Sequence, residues 1–359
     1  MSIMAAVAYR GVLEDVRTCL SGGVPRRLPV FAMSQVFDAV SAGHAFEEAE
    51  NDKDLLLDCV IRGIETYDWD WAWPVVGDSA TFEPLGFDYG PRLGGRGQNP
   101  YIVTSHRPPS YATLEEMRVP DLRSEGRMHF VLDALEKLKA RYGDTVCVTG
   151  WVVGPMQCLG YLYGMSDSML LFYDNPQLLK DSISFFVEQA IAVADAEIDS
   201  GADAIFIPDL LSASYFLSPE HYKTFVLPAH EQIFSHIAER KTPVFFHPNE
   251  KSVERLRLMA SLSTSCDLAL TVGSEANVVE VRERLGDAVC LMGNVHCLET
   301  LRDGTPDTVR AEVEAIVDGV SRKGGHILNT CATMSFDTPP ANGIAMVQTA
   351  RSHYRGAAD

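Results

Sequence analysis

No apolar run in this chain approaches the ~20 residues that a helix needs to cross a bilayer. Met1 to Gly11 carry no basic stretch followed by an apolar one, so no secretory signal is read there and a cytoplasmic protein is expected. Basic residues are scarce: 30 Lys and Arg stand against 49 Asp and Glu, a formal net charge of −19. Such a surface repels nucleic acid and anionic lipid, and no Lys/Arg run offsets it, so neither nucleic acid nor membrane is an expected partner. Paired cysteine motifs are missing too. The eight cysteines (19, 59, 147, 158, 266, 290, 297 and 331) form no CxxC and no dense framework. Cys19, Cys59, Cys147 and Cys290 sit in apolar runs and read as small core residues, which leaves Cys158, Cys266, Cys297 and Cys331 for the fold to place.

What is present is an alternation. Short, β-branched apolar runs at 27–33, 68–75, 145–153, 202–208, 242–247, 265–272, 288–294 and 325–330 are separated by longer helical patterns. Near-continuous apolar runs suit parallel strands covered on both faces. The helical segments have legible ends. Ser218-Pro219-Glu220 opens a helix towards Arg240, Thr305-Pro306-Asp307 opens another that stops at Gly324-Gly325, and Gly201 closes a long helix over 174–200. Eight β-then-α units predict an α/β fold of the (β/α)8 TIM-barrel type. The expected domain is single, 1–359, with an N-terminal helical extension. A doubly wound sheet is the alternative, but no GxGxxG follows any strand. The Gly- and Pro-rich stretch from Asp78 to about Arg123 breaks the spacing and predicts a long loop after strand 2, over the barrel mouth.

In a barrel, catalytic groups sit just after the strands. Those positions hold Ser34 and Gln35, Asp78, Gln157, Asp209, His247 and Asn249, Glu275, Asn294 and His296, and Cys331. A polar or metal-capable group follows every strand. The run Asp68-Trp69-Asp70-Trp71-Ala72-Trp73 alternates with period two. Trp69 and Trp71 are expected to face the helices with the acids inside or at the base. Trp73, nearest the strand end, is a candidate pocket wall for an aromatic or corrin face.

Several motifs then point one way: LSPEHYKTFVLPAHEQI (217–233), GNV (293–295), GTPDTV (304–309), TPPANGIAMV (338–347), Gly154-Pro155 and Gly201-Ala202-Asp203. Together they resemble the uroporphyrinogen decarboxylase superfamily over nearly the whole chain, and the resemblance implies the barrel independently of the strand count. That superfamily holds cofactor-free decarboxylases of tetrapyrrole acetates and a branch of corrinoid-dependent methyltransferases. The chain departs from the decarboxylases where they carry arginines for a polycarboxylate: after strand one it reads Met33-Ser34-Gln35-Val36-Phe37. The decarboxylase histidine after strand eight is also replaced, by Thr330-Cys331-Ala332. Asp78 and Tyr161 fall near the acidic and tyrosine positions of that branch.

The methyltransferase branch implies zinc held by a His-x-Cys after strand five and a Cys after strand eight. Here His247 and Cys331 match, but the middle position reads His247-Pro248-Asn249. A neutral amide is a poor transition-metal ligand. Either Glu275 completes a His247/Cys331/Glu275 site, or His296-Cys297 supplies a ligand, or there is no zinc and Asn249 binds substrate. The resemblance thus implies a methyltransferase that moves a methyl group between a small substrate, an aromatic methyl ether being the expected case, and a corrinoid cobalt. No DxHxxG-type motif is present, so the corrinoid (cobalamin) is expected free or on a partner protein. A homodimer is compatible with the sequence. In this reading Asp78, His247 and Tyr161 are the catalytic candidates. Met33, Gln35, Trp73, Gln157, Asp209, Asn249, Asn294 and His296 are the substrate-binding ones. The alternatives are a lyase that decarboxylates a non-porphyrin acid with Asp78 and Tyr161, and an inactive barrel serving as a binding subunit.

Overall fold

The computed structural model describes residues 9–77, 79–90 and 102–354. Strands form at the centres of seven of the predicted runs, with a small hairpin between the first two: β1 (Trp71–Ala72), β2 (Tyr89–Gly90), β3 (Ile102–Val103), β4 (Cys147–Trp151), β5 (Ala204–Pro208), β6 (Val244–Glu250), β7 (Leu268–Val272), β8 (Cys290–Met292) and β9 (His326–Ile327). β2 and β3 pair antiparallel with each other, and the other seven form one parallel sheet in the order β1-β4-β5-β6-β7-β8-β9. Each sheet strand leads into a helix, for example Met128–Tyr142, Pro176–Asp199, Leu227–Glu239 and Pro306–Gly319. The first predicted run contributes only a single-residue bridge, Val30 to Leu328. It nevertheless bonds to both edges of the sheet: Phe31 N donates to Leu328 O (2.8 Å), Leu328 N to Pro29 O (3.0 Å) and Asp70 N to Val30 O (3.0 Å). The helix Val12–Leu20 precedes it. Among the described residues no helix is long and apolar enough to cross a membrane.

The two faces of the sheet separate by side-chain parity. On the outer face Phe246 packs against His230 and Phe234 of the helix Leu227–Glu239. On the inner face rings from five segments meet: Phe31 stacks on Trp71 at 4.8 Å, Trp71 on Trp73 at 5.2 Å and Trp151 on Phe206 at 5.5 Å, while Phe31 also reaches Phe245 at 5.8 Å. Segments so far apart in the chain bring their rings together only on the concave side. Each such pair adds about 0.5–1.5 kcal/mol beyond its buried area.

This corrects the expected facing of Trp71. Trp69 does lie against the helix Lys53–Tyr67, stacked on Tyr67 at 5.3 Å, but regular pairing starts only at Trp71, which fills the interior. The physical reason is Asp70. A buried carboxylate needs donors, and these lie outside the sheet: Arg27 Nη2 at 2.5 Å, Arg351 Nη2 of the helix Pro340–His353 at 2.7 Å and Val30 N at 2.7 Å. Asp70 thereby ties the first segment to the last helix. Asp70→Asn keeps the shape but discards both ion pairs, and an expected loss of about 3 kcal/mol should appear as a lower urea midpoint. An unchanged midpoint would show that the two arginines do not hold the ends together.

The predicted helix from Ser218 is present but interrupted. Ser218 Oγ accepts from His221 N at 3.1 Å, and Tyr222–Val226 winds as a π-turn before Leu227–Glu239 resumes. Pro228, which has no N–H for the preceding turn, accounts for the wider winding. The helix expected over 174–200 starts at Pro176, with Asn175 Oδ1 accepting from Leu178 N at 3.1 Å.

Candidate functional site

His247 is near the end of β6 and its ring lies on the concave side, 5.4 Å from Phe206. Its Nδ1 is 2.8 Å from the Thr271 hydroxyl on β7. Burial pushes its pKa down to about 4, so the imidazole is neutral at physiological pH. Beside it lies an aromatic wall. Trp73 meets Trp151 at 4.8 Å and Phe206 at 5.5 Å, and Trp151 is half-buried while the other two are fully covered.

Polar atoms without partners cluster at this end of the sheet. Trp73 Nε1, Gln35 Oε1 and Asn249 Oδ1 are buried with no hydrogen-bond partner among the described residues. They lie at the carboxyl ends of the first, second and fifth segments of the main sheet, the 29–31 segment, β1 and β6, and the strands of that sheet are parallel, so they share one end. An unsatisfied buried donor or acceptor costs roughly 1–3 kcal/mol, which three such atoms incur without return unless a ligand or water meets them. Asn249 adds backbone strain. A register shift in β6 between Phe246 and Glu250 leaves it at φ +51°, a conformation that asparagine tolerates better than most residues.

Other candidates are spent on the scaffold. Asp209 is fully buried, and its carboxylate accepts from Gln157 N (2.7 Å), Met156 N (3.4 Å) and His230 Nε2 (2.8 Å). It holds the first turn of the helix Pro155–Tyr163, which differs from the substrate contact expected. Gln157 links Tyr161 OH (3.2 Å) to Leu210 N (3.2 Å), and the Tyr161 ring stands edge-on to Phe82 at 5.0 Å. Asn294 Nδ2 donates to Gly273 O (3.1 Å) and Ala276 O (2.6 Å), pinning the turn after β7. His296 caps the turn Cys297–Arg302: its Nδ1 accepts from Leu298 N (3.3 Å) and Glu299 N (3.0 Å). In each, one side-chain nitrogen is spent on holding a turn. Met33 is buried, and its backbone N–H donates to Thr330 Oγ1 at 3.1 Å. Asp78 lies outside the described residues, as do residues 91–101 of the Gly-rich stretch that follows it.

The expected zinc ligands do not assemble. Glu275 is 60% exposed and its carboxylate bonds to Lys251 Nζ at 2.5 Å. Cys331 is 3.6 Å from Cys297 Sγ and accepts from Cys297 N at 3.3 Å. Among the described residues no three His, Cys, Asp or Glu side chains converge as a metal would require. With a neutral amide at 249 and a solvated carboxylate at 275, the donor set does not fit zinc, and no chemistry is assigned to it. Sequence reasoning also passed over Trp151, Phe206 and Thr271, which look like ordinary strand residues. Only the parity of TVCVTGWVV, with Gly150 facing a helix, hints that Trp151 faces the centre.

A parallel α/β sheet with a neutral buried imidazole, an aromatic wall and unpaired polar atoms at its carboxyl end has the make-up of an enzyme site. The chain belongs to the uroporphyrinogen decarboxylase (URO-D) family, whose sequence profile matches residues 14–353. It is 25% identical over 245 residues to a methylated-thiol–coenzyme M methyltransferase of Methanosarcina mazei, an alignment spanning 68% of this chain and 64% of that enzyme. It is 24% identical over 355 residues to the methylcobamide:CoM methyltransferase MtaA of Methanosarcina barkeri, covering 93% and 96% of the two chains. A uroporphyrinogen decarboxylase of Dechloromonas aromatica is 27% identical over 239 residues, 63% of this chain and 64% of the other. Among solved structures, a methyltransferase from Methanosarcina mazei superposes with a TM-score of 0.83 at 22% identity, over 94% of this chain and 98% of that one, which speaks to the fold.

Proposed function

We propose that this protein is a corrinoid-dependent methyltransferase acting on a small aromatic methyl ether, built on an eight-stranded barrel that the 28–31 segment closes. The observation that carries the reading is the site itself: an aromatic wall of Trp73, Trp151 and Phe206 beside the neutral His247, with unpaired polar atoms on Gln35, Trp73 and Asn249. A flat aromatic substrate stacks on Trp151, the one half-open ring of that wall, with Trp73 and Phe206 backing it, and its ether oxygen takes a hydrogen bond from a donor such as Trp73 Nε1 or the neutral imidazole. When the Thr271 hydroxyl donates to His247 Nδ1, Nε2 carries the proton and serves as that donor. The anionic oxygen left after methyl removal strengthens the same bond, so the interaction favours the transition state over the bound substrate.

The corrinoid, when bound, supplies the cobalt that accepts or gives the methyl group. The chain's contribution to that partner is the rim. Tyr215 and Phe216 after β5 and Leu298 after β8 are exposed large apolar side chains at the same end of the sheet. They suit a macrocycle presented by a carrier protein or free in solution. The names of several relatives support this class, and the missing arginines at 33–37 count against a tetrapyrrole polycarboxylate substrate.

The test is incubation of the chain with cobalt(I) cobalamin and a panel of aryl methyl ethers, following methylcobalamin by its absorbance. His247→Ala is expected to lower the rate about 100-fold or more, the usual range for a positioned proton donor. Because the imidazole stays neutral until about pH 4, no inflection from this residue is expected between pH 5 and 8. Carbon dioxide release from a carboxylic acid, with no methyl transfer across the panel, would transfer the assignment to a lyase.

A further inference from the structure

Two cysteines stand apart from the other six. All eight are buried and unbridged. Cys158, Cys266 and Cys290 point their thiols at backbone carbonyls, and Cys147 meets Thr149 Oγ1. Cys297 and Cys331, which follow neighbouring strands β8 and β9, instead bring their sulfurs within 3.6 Å of each other. The backbone there is held in register: Val295 N donates to Asn329 O (2.9 Å), Cys331 N donates to Val295 O (2.9 Å), and Val295 and Thr330 form a parallel bridge.

We propose that Cys297 and Cys331 are a redox-active dithiol that closes to a disulfide when the protein meets a peroxide. The bridge requires the sulfurs to approach from 3.6 Å to about 2.05 Å, within reach of side-chain rotation. The pair is asymmetric. The Cys331 thiol donates to Cys297 Sγ, so the proton of the pair sits on Cys331 and the Cys297 sulfur is the acceptor. Cys297 is also the more open of the two, at 5% exposure against 1%. Cys297 is therefore the attacking thiolate and Cys331 the resolving thiol.

In the first step the Cys297 sulfur attacks one peroxide oxygen. An S–O bond forms, the O–O bond breaks, and hydroxide leaves to become water with one proton, giving a sulfenic acid. In the second the Cys331 sulfur gives up its proton and attacks Cys297 sulfur; the S–S bond forms, the S–O bond breaks, and a second water departs. Two thiols lose two electrons in all, and the peroxide gains them. The disulfide would pin the turn Cys297–Arg302, which carries the rim residue Leu298, to the end of β9.

The experiment uses the full chain, reduced, desalted and kept free of oxygen, then treated with about one equivalent of hydrogen peroxide. Remaining thiols are alkylated in denaturant and the peptides mapped by mass spectrometry. The expected result in the wild type is a single linked peptide pair joining Cys297 to Cys331, reopened by a dithiol reductant. Cys331→Ser should stop at a Cys297 sulfenic acid that dimedone traps, and Cys297→Ser should lose thiols at least tenfold more slowly. The proposal is overturned if both cysteines are recovered fully alkylated while thiols elsewhere are consumed. It is equally overturned if unfolded and native protein link the same pair at the same rate, since the native approach of the sulfurs would then contribute nothing. The peptide map of the wild type decides the matter even where a variant fails to fold.

Discussion

Asp209→Ala is expected to destabilise the protein by about 3–5 kcal/mol, the range seen when a buried carboxylate leaves its partners behind. Three donors lose their acceptor at once: Gln157 N, Met156 N and His230 Nε2. The first two open the helix Pro155–Tyr163, where loss of a capping oxygen costs about 1 kcal/mol on its own. The third is worse placed. His230, Tyr222 and Asp209 are all fully buried, and His230 Nδ1 takes the Tyr222 hydroxyl at 3.1 Å while Nε2 faces the carboxylate. Tyr222 in turn lies under Arg255, 4.6 Å from its ring. No water reaches this chain of contacts to replace the missing oxygen, so the imidazole N–H stays unpaired at roughly 1–3 kcal/mol. Asp209→Asn keeps one capping oxygen and should lose about half as much, because its amide N–H₂ meets an imidazole donor. Urea unfolding checks both variants. A substrate-binding aspartate would behave oppositely: Asp209→Asn would raise KM and leave the unfolding midpoint alone.

Why the sequence did not reveal the capping role of Asp209 is a general matter. A polar residue just past a parallel strand faces two employers, the substrate and the first turn of the next helix, and both want an oxygen. Asp209, Asn294 and His296 went to the backbone. Asn249 and Gln35 kept an unpaired oxygen, and only coordinates distinguish the two outcomes. Strand positions were easier to read, since seven of the eight predicted runs contain a sheet strand near their centre. The extents of β1 and β9 were overestimated because an apolar run continues past the last ladder bond: they are two residues each within runs of eight and six, whereas β6 runs three residues past its predicted end at 247. The facing of Trp71 escaped because alternation holds only where the ladder does: pairing starts at Trp71, so Trp69 and Trp71 do not share a face, and the sequence alone does not say where the ladder begins. Arg27 and Arg351 decide that, 44 residues before and 280 after the tryptophan in sequence (71 − 27 and 351 − 71). The Cys297–Cys331 contact is hidden for the same reason: the residues are 34 apart and meet only because β8 and β9 pair.

Glu197 illustrates a buried group with a predictable sign. It lies on the helix Pro176–Asp199, fully buried, facing the outer side of β4 where Gly150 leaves room; a Cβ at 150 would come within 2.3 Å of its carboxyl oxygen. No ion pair reaches it among the described residues, and the backbone N–H of Trp151 gives only partial relief. Burial therefore pushes its pKa well above its ordinary value, so folding favours the neutral acid. In the unfolded chain the same group ionises near pH 4.3. Above that pH the native state binds more protons than the unfolded one. Stability is fully present below the unfolded pKa and falls by about 1.4 kcal/mol per pH unit, until the pH passes the raised folded value. Glu197→Gln has no proton to retain. Its stability should match or fall slightly below that of the wild type near pH 4, where the neutral acid and the amide differ only by an added donor. It should then exceed the wild type by a margin that widens as pH rises towards 7, reaching about 3 kcal/mol if the folded group stays neutral throughout. Urea midpoints at pH 4.5, 6 and 7.5 measure the divergence. Two parallel curves would mean that Glu197 is ionised in the folded protein, with a cation or water beside it that offsets its burial.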